Sequence, residues 1–171
     1  MPGTVVKMSP RDYQRWLRDL GPRLPAALRR GCYSGALRCI PLMQERTRHA
    51  PAANPGGMGG GGAVNTSAYL MRWRATALPN GASVFNSSPY AGIIDGGRRP
   101  GTMPPLKAIA KWAQRKLQLS EKEAKAAAYP IALAIKRRGL RPRKVMADGV
   151  DEMVTLVEAE IGRELLAELQ R

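Results

Sequence analysis

Hydrophobic positions recur every three or four residues at both ends of the chain and alternate in its middle. This predicts helices flanking a small sheet. Near the start, Tyr13, Trp16, Leu17 and Leu20 share one helical face. Ser9 stands at the N-cap position with Asp12 three residues on, and Gly21-Pro22 ends the run. A second helical stretch covers residues 25–48, with Leu28, Cys32, Cys39, Ile40 and Met43 as apolar members. Gly31 and Gly35 are expected to weaken it and Pro41 to kink or break it. Ser120 and Glu123 form a capping box for a helix reaching about Arg138. Pro130 should kink that helix; Lys136, Arg137 and Arg138 suit its C-terminal dipole, and Gly139 ends it. Asp148 opens the last helix, whose apolar stripe is Val150, Met153, Val154, Val157, Ile161 and Leu165. Its outer face is expected to carry Asp151, Glu152, Glu158, Glu160, Glu164 and Glu168.

In the middle, residues 66–78 alternate between Leu70, Arg72, Arg74, Thr76 and Met71, Trp73, Ala75, Ala77, as a half-buried strand requires. Pro79-Asn80-Gly81 is a hairpin turn signal and residues 82–86 are the return strand. The class is therefore α+β. A small antiparallel sheet, a hairpin within 66–95, packs with several helices, including a long N-terminal helical region and a C-terminal amphipathic helix. At 171 residues a single domain is expected, 1–171, with 51–65 as a Gly/Pro-rich flexible loop or arm. Within that segment NPGGMGGGG has no lysine, so it is no phosphate-binding loop.

The stretch 84–112 combines an Asn86-Ser87-Ser88-Pro89 turn and an apolar run from Tyr90 to Ile94, either a short strand or one helical turn. The Gly96-Gly97-Arg98-Arg99-Pro100-Gly101 loop and a helix opened by Pro104-Pro105 follow.

Net charge is +15, unevenly spread. Residues 1–50 hold ten basic and three acidic side chains, residues 101–150 twelve and three, and residues 151–171 two and six. A basic body thus ends in an acidic helix, and like charge at this density calls for a neutralising partner. Six cations fall in the nine residues 136–144: Lys136, Arg137, Arg138, Arg141, Arg143 and Lys144. With Arg98 and Arg99 they suit either phosphates or a neighbouring subunit. Cys32 and Cys39, about 10 Å apart along one helix, cannot form a disulfide and read as small apolar side chains. The N-terminus lacks a signal-peptide pattern and no apolar run approaches the roughly 20 residues of a membrane span. A soluble protein with no membrane partner is expected.

Candidate chemistry is sparse. His49 has no His or Cys partner at metal-ligand spacing and reads as a surface or loop histidine. Asp95, the only acid between Glu45 and Glu121, reads as a turn-stabilising acceptor or an arginine partner rather than a general base. No catalytic residue, metal or cofactor is expected. Trp16, Trp73 and Trp112 read as core or interface anchors.

Tyr90, Ala91, Asp95, Gly97, Arg98, Arg99, Pro100, Gly101, Pro105 and Trp112, in this order and spacing, resemble the tailed-bacteriophage neck and minor-tail family. The resemblance continues through residues 127–143 and into the last helix. Where that family commonly has Asp-Thr-Gly before its first strand, this chain has the glycine run and Asn65-Thr66-Ser67. The resemblance implies a structural virion protein acting in tail completion or head–tail joining, with no reaction catalysed. It implies a homo-oligomeric ring of roughly six or twelve copies around double-stranded DNA. Portal, adaptor or stopper proteins lie on one side of such a ring and tail-tube or terminator proteins on the other. Localisation would be the virion neck, after assembly in the host cytoplasm. The motif residues would shape an inter-subunit loop. Glu158, Glu160 and Glu164 of one copy are expected to face the 136–144 patch of the next. The alternative is a free, sequence-unspecific nucleic-acid-binding protein.

Overall fold

A computed structural model describes residues 9–50 and 67–170. The glycine-rich segment 51–65 and Thr66 lie outside the described residues. The α+β class holds: helices dominate, and the only sheet among the described residues is a two-stranded antiparallel hairpin.

Helix α1 (Pro10–Leu20) opens on Ser9, whose Oγ accepts from the Asp12 N–H at 3.2 Å. A three-residue joint leads into α2 (Leu24–His49), 26 residues and about 39 Å long. The expected break at Pro41 does not occur; α2 runs through it. Proline removes one helical hydrogen bond. Burial of α2 on two sides, by α7 and by the hairpin, offsets that loss. A single turn, α3 (Ser67–Leu70), precedes β1 (Trp73–Leu78) and β2 (Gly81–Asn86). The expected strand thus starts at Trp73, not at residue 66. The Tyr69 carbonyl accepts from the Arg72 N–H at 3.1 Å and from Asn86 Nδ2 at 3.0 Å, which holds residues 69–72 in a turn. Leu78 pairs with Gly81 across Pro79-Asn80, so the turn signal fixes the register.

The apolar run after Tyr90 becomes one helical segment, α4 (Ala91–Gly96). Helix α5 (Leu106–Lys116) starts after Pro105, and α6 (Glu121–Arg138) starts on the Ser120–Glu123 box and stops at Gly139. Like α2, α6 runs through its proline. A short 3-10 turn, Ala147–Gly149, takes the place expected for the first turn of the last helix, so α7 is Val150–Leu169.

Antiparallel packing of α2 on α7 organises the core. The buried residues Ala27, Gly31, Gly35, Cys39, Met43 and Thr47 recur every four positions along α2. A Cβ on Gly31 would lie 2.6 Å from the Ile161 Cα, and one on Gly35 2.6 Å from the Val157 Cα. The two glycines expected to weaken α2 are therefore where the backbones touch. Beyond them, Met43, Ala50, Trp73 and Val145 form a cluster that roots the hairpin on α2. The buried Trp73 indole donates to Thr47 Oγ1 at 3.0 Å, and the Thr47 hydroxyl donates to the Met43 carbonyl at 2.6 Å. Both polar groups are thereby satisfied without water.

Helices α5 and α6 pack on each other around Ala113, Ala124, Ala128 and Ala132, all buried, and scarcely touch the α2–α7 body.

Gly35→Ala tests the close approach. Alanine favours an isolated helix, yet here the variant is expected to lower unfolding free energy by about 1–3 kcal/mol, because backbone must move. Gly162→Ala, whose Cβ would meet nothing within 4 Å, is expected to be neutral or slightly stabilising in the same urea titration.

Candidate functional site

Two segments that are distant in sequence meet in an antiparallel tie. The Arg98 and Leu140 backbones exchange hydrogen bonds of 2.9 and 2.8 Å. The Gly101 N–H donates to the Lys136 carbonyl at 2.8 Å, the Arg143 N–H to Ile94 at 3.0 Å and the Lys144 N–H to Asp95 at 3.1 Å. Gly97 and Gly139 have φ of 74° and 72°, the left-handed region that suits glycine. They also face each other's strand: a Cβ on Gly97 would lie 2.5 Å from the Leu140 carbonyl oxygen, and one on Gly139 would strike that of Arg98.

Asp95 secures the crossing. Its Oδ1 accepts from the Met146 N–H at 2.7 Å, 51 residues along the chain. The carboxylate expected to stabilise a local turn or pair with an arginine thus accepts from a backbone N–H distant in the chain. Arg143 is half-buried in the tie, and burial pushes its guanidinium pKa down. Tyr69 is buried nearby, and its hydroxyl is pushed up to about 12, by burial first and by the Asp95 charge second.

The tie thus gathers the cations singled out from the sequence. Arg99, Lys136, Arg137, Arg138, Arg141 and Lys144 are exposed, and Arg98 is half-exposed with its guanidinium donating to the Thr102 carbonyl at 3.1 Å. Among the described residues, Arg99, Lys136, Arg137, Arg138, Arg141 and Lys144 have no carboxylate partner. Residues 98–144 hold 14 basic and two acidic side chains, a net of +12 out of the chain's +15. Those two acids are engaged locally: Glu121 pairs with Lys125 at 2.6 Å, and Glu123 caps Ser120. Lys125 and Glu121 also line a cleft of about 590 Å³ between α5 and α6, with Lys107 and Lys111 opposite.

The remaining motif residues lie around this surface. Tyr90 is exposed ahead of α4, Ala91 begins it, Pro100 and Gly101 are exposed in the loop, Pro105 caps α5, and Trp112 is half-buried on α5. Trp73 is the core anchor of the three tryptophans. His49 is exposed at the end of α2, with Nε2 2.8 Å from Glu45 Oε1.

Of the acidic row expected on the outer face of α7, Asp151, Glu152 and Glu158 are exposed, but Glu160, Glu164 and Glu168 are not. Glu160 and Glu168 are buried and, with Glu164 and Glu152, face α2 of the same chain. Arg38 Nε lies 2.6 Å from Glu160 Oε1, which also pairs with Arg163. Arg30 lies 3.0 Å from Glu164 and 2.5 Å from Glu168, Arg23 lies 3.0 Å from Glu168, and Arg46 pairs with Glu152. Of the three carboxylates expected to meet a neighbouring basic patch, Glu160 and Glu164 are thus held within the chain. Glu158 alone stays on the open side, without an ion partner among the described residues. The α2 arginines were not singled out from the sequence, although a signal is present. Arg30, Arg38 and Arg46 recur every eight residues, and so do Glu152, Glu160 and Glu168.

No group of three or more His, Cys, Asp or Glu side chains among the described residues could hold a metal ion. Among the same residues, no helix is long and apolar enough to cross a membrane.

Asp95→Ala is expected to lower stability by about 1–3 kcal/mol, the cost of orphaning a hydrogen bond to a charged acceptor. It should also speed amide hydrogen exchange at Arg98 and Leu140. Asp95→Asn, which can still accept from Met146, should lose less on both counts. The chain matches no protein-family model, no curated protein and no solved structure.

Proposed function

We propose that this chain is a structural subunit of a multi-copy ring at the neck of a tailed-phage virion, acting in tail completion or head–tail joining and catalysing no reaction. One observation carries the multi-copy part. Among the described residues, the largest side chains that are completely buried are Met43, Thr47 and Cys39. Tyr13, Leu37, Val154 and Leu166 stand 51, 44, 48 and 59% exposed. Single exposed apolar residues are ordinary, but many large ones beside an alanine-rich core are the signature of a surface awaiting protein contact. The neck assignment rests on the resemblance carried by residues 90–112. Partners above and below the ring would be portal, adaptor or stopper proteins and tail-tube or terminator proteins.

The free basic surface favours a nucleic-acid contact, whether in the lumen of a ring or by a free protein. Its charges contact phosphates without reading sequence. The acidic helix cannot neutralise that surface in a neighbour with Glu160 and Glu164 as they stand, because both are engaged with α2. Double-stranded DNA in the lumen supplies the missing negative charge.

Immuno-electron microscopy of tailed-phage particles that encode the chain is expected to label the head–tail junction, with ring-shaped particles from the purified protein. Particles free of the chain would rule out the neck assignment. For the nucleic-acid contact, fluorescence anisotropy with a short duplex is expected to show affinity falling steeply with salt and indifferent to sequence. Replacing Lys136, Arg137 and Arg138 by glutamine should flatten the log–log salt slope by about one unit for each phosphate no longer neutralised. An unchanged slope would place the DNA elsewhere.

A further inference from the structure

Uncommitted negative charge gathers at one place in the described residues. The carboxylates there with neither an ion pair nor a side-chain hydrogen bond are Asp19, Asp148, Asp151 and Glu158. All but Asp19 belong to the N-terminal half of α7 and the 3-10 turn before it. Asp151, Val154 and Glu158 follow at helical spacing, so the two acids and the valine share one face. Val150 and Val154 are 44 and 48% exposed. Charge and apolar surface therefore lie on the same side of this helix.

The α5–α6 lobe carries the opposite combination. Its cleft of about 590 Å³ is lined by the apolar Leu106, Ala110 and Ala128, with Lys107 and Lys111 along the α5 wall. Leu106 is 44% exposed, and neither lysine has a carboxylate partner among the described residues. On the α6 wall, Glu121 and Lys125 neutralise each other. The α5 lining from Leu106 to Gln114 spans about 12 Å, and Asp151 and Glu158 stand about 10 Å apart along α7. A DNA backbone would use the lysines and gain nothing from the apolar lining. A helix with an exposed valine between two carboxylates uses both.

We infer that the N-terminal half of α7 in one copy docks in the α5–α6 cleft of the next, with Asp151 and Glu158 set against Lys107 and Lys111. Within one chain the two surfaces scarcely touch, because α5 and α6 pack almost wholly on each other. A contact that joins two different patches of identical subunits is heterologous, and it closes into a ring when its rotation permits. Each exposed ion pair adds little. Burial of the valines against the cleft lining supplies affinity, while the charges choose the partner and fix its orientation. The cations of the tie lie outside the cleft and stay available to DNA. The contact rests on the multi-copy reading above and names the surfaces that link the copies.

The test uses the full chain and reverses charge at four exposed positions, with mass measured by sedimentation velocity. One double variant carries Lys107→Glu and Lys111→Glu, the other Asp151→Lys and Glu158→Lys. Unchanged circular dichroism and melting temperature check that both are folded. Wild type is expected to assemble beyond the dimer and each double variant alone to stay monomeric, because like charges then face each other. An equimolar mixture of the two should recover the wild-type size, since each reversed surface meets its opposite, and so should a chain carrying all four changes. Either double variant assembling alone to the wild-type size would overturn the inference while leaving the ring reading in place. A mixture and a fourfold variant that both stay monomeric while wild type assembles would do the same. If the lysine reversals weaken duplex binding but leave assembly intact, the cleft belongs to DNA and the inference falls. Wild type that stays monomeric up to the highest soluble concentration would overturn both.

Discussion

The distance between the α2 and α7 backbones is the constraint on which the rest depends. Gly31 and Gly35 let the two helices meet main chain to main chain, and a stripe of small residues every four positions extends that contact along their length. Close packing of this kind gains dispersion energy along the whole seam, but it leaves no room there for large side chains. The consequence is visible outside the seam, where bulky apolar residues must find other places. Trp73 finds one under α2; Leu37, Val154 and Leu166 do not.

The same geometry decides what the charges do. Once the seam sets the register, arginines spaced by eight on α2 fall opposite glutamates spaced by eight on α7. Each exposed pair contributes only about 0–1 kcal/mol, and burying Glu160 and Glu168 carries a desolvation cost that their partners must offset. Their value lies in alignment: a slip of one turn would part Glu160 from Arg38 and Glu168 from Arg23 and Arg30. Four of the chain's 13 carboxylates are thereby engaged on one seam, and the tie and the α5–α6 pair are left strongly positive.

Features specified by a few adjacent residues were legible in the sequence. The Ser9 and Ser120 caps, the Pro79-Asn80 turn, the Gly139 stop and the lack of a disulfide needed no knowledge of distant partners. Features decided by tertiary partners were not. A glycine in a helix reads as weakness until Ile161 or Val157 is seen against it. An acidic row on an amphipathic helix reads as solvated until a basic row of equal spacing faces it. Pro41 reads as a kink or break and Pro130 as a kink, but packing on both sides carries α2 through the first without a break. The motif residues from Tyr90 to Trp112 could be singled out, whereas the pairing that joins Arg98 to Leu140 could not, since nothing local announces a partner 42 residues away.

The antiparallel tie has a topological consequence. Residues 102–135 leave the body and return to it at one place, with entry and exit stitched together by main-chain hydrogen bonds. In connectivity, the α5–α6 pair is a detachable insert on a closed neck. Its length, charge or contents can change through substitution or recombination without altering the α2–α7 seam, so a lineage could retune what this lobe touches while inheriting the scaffold intact.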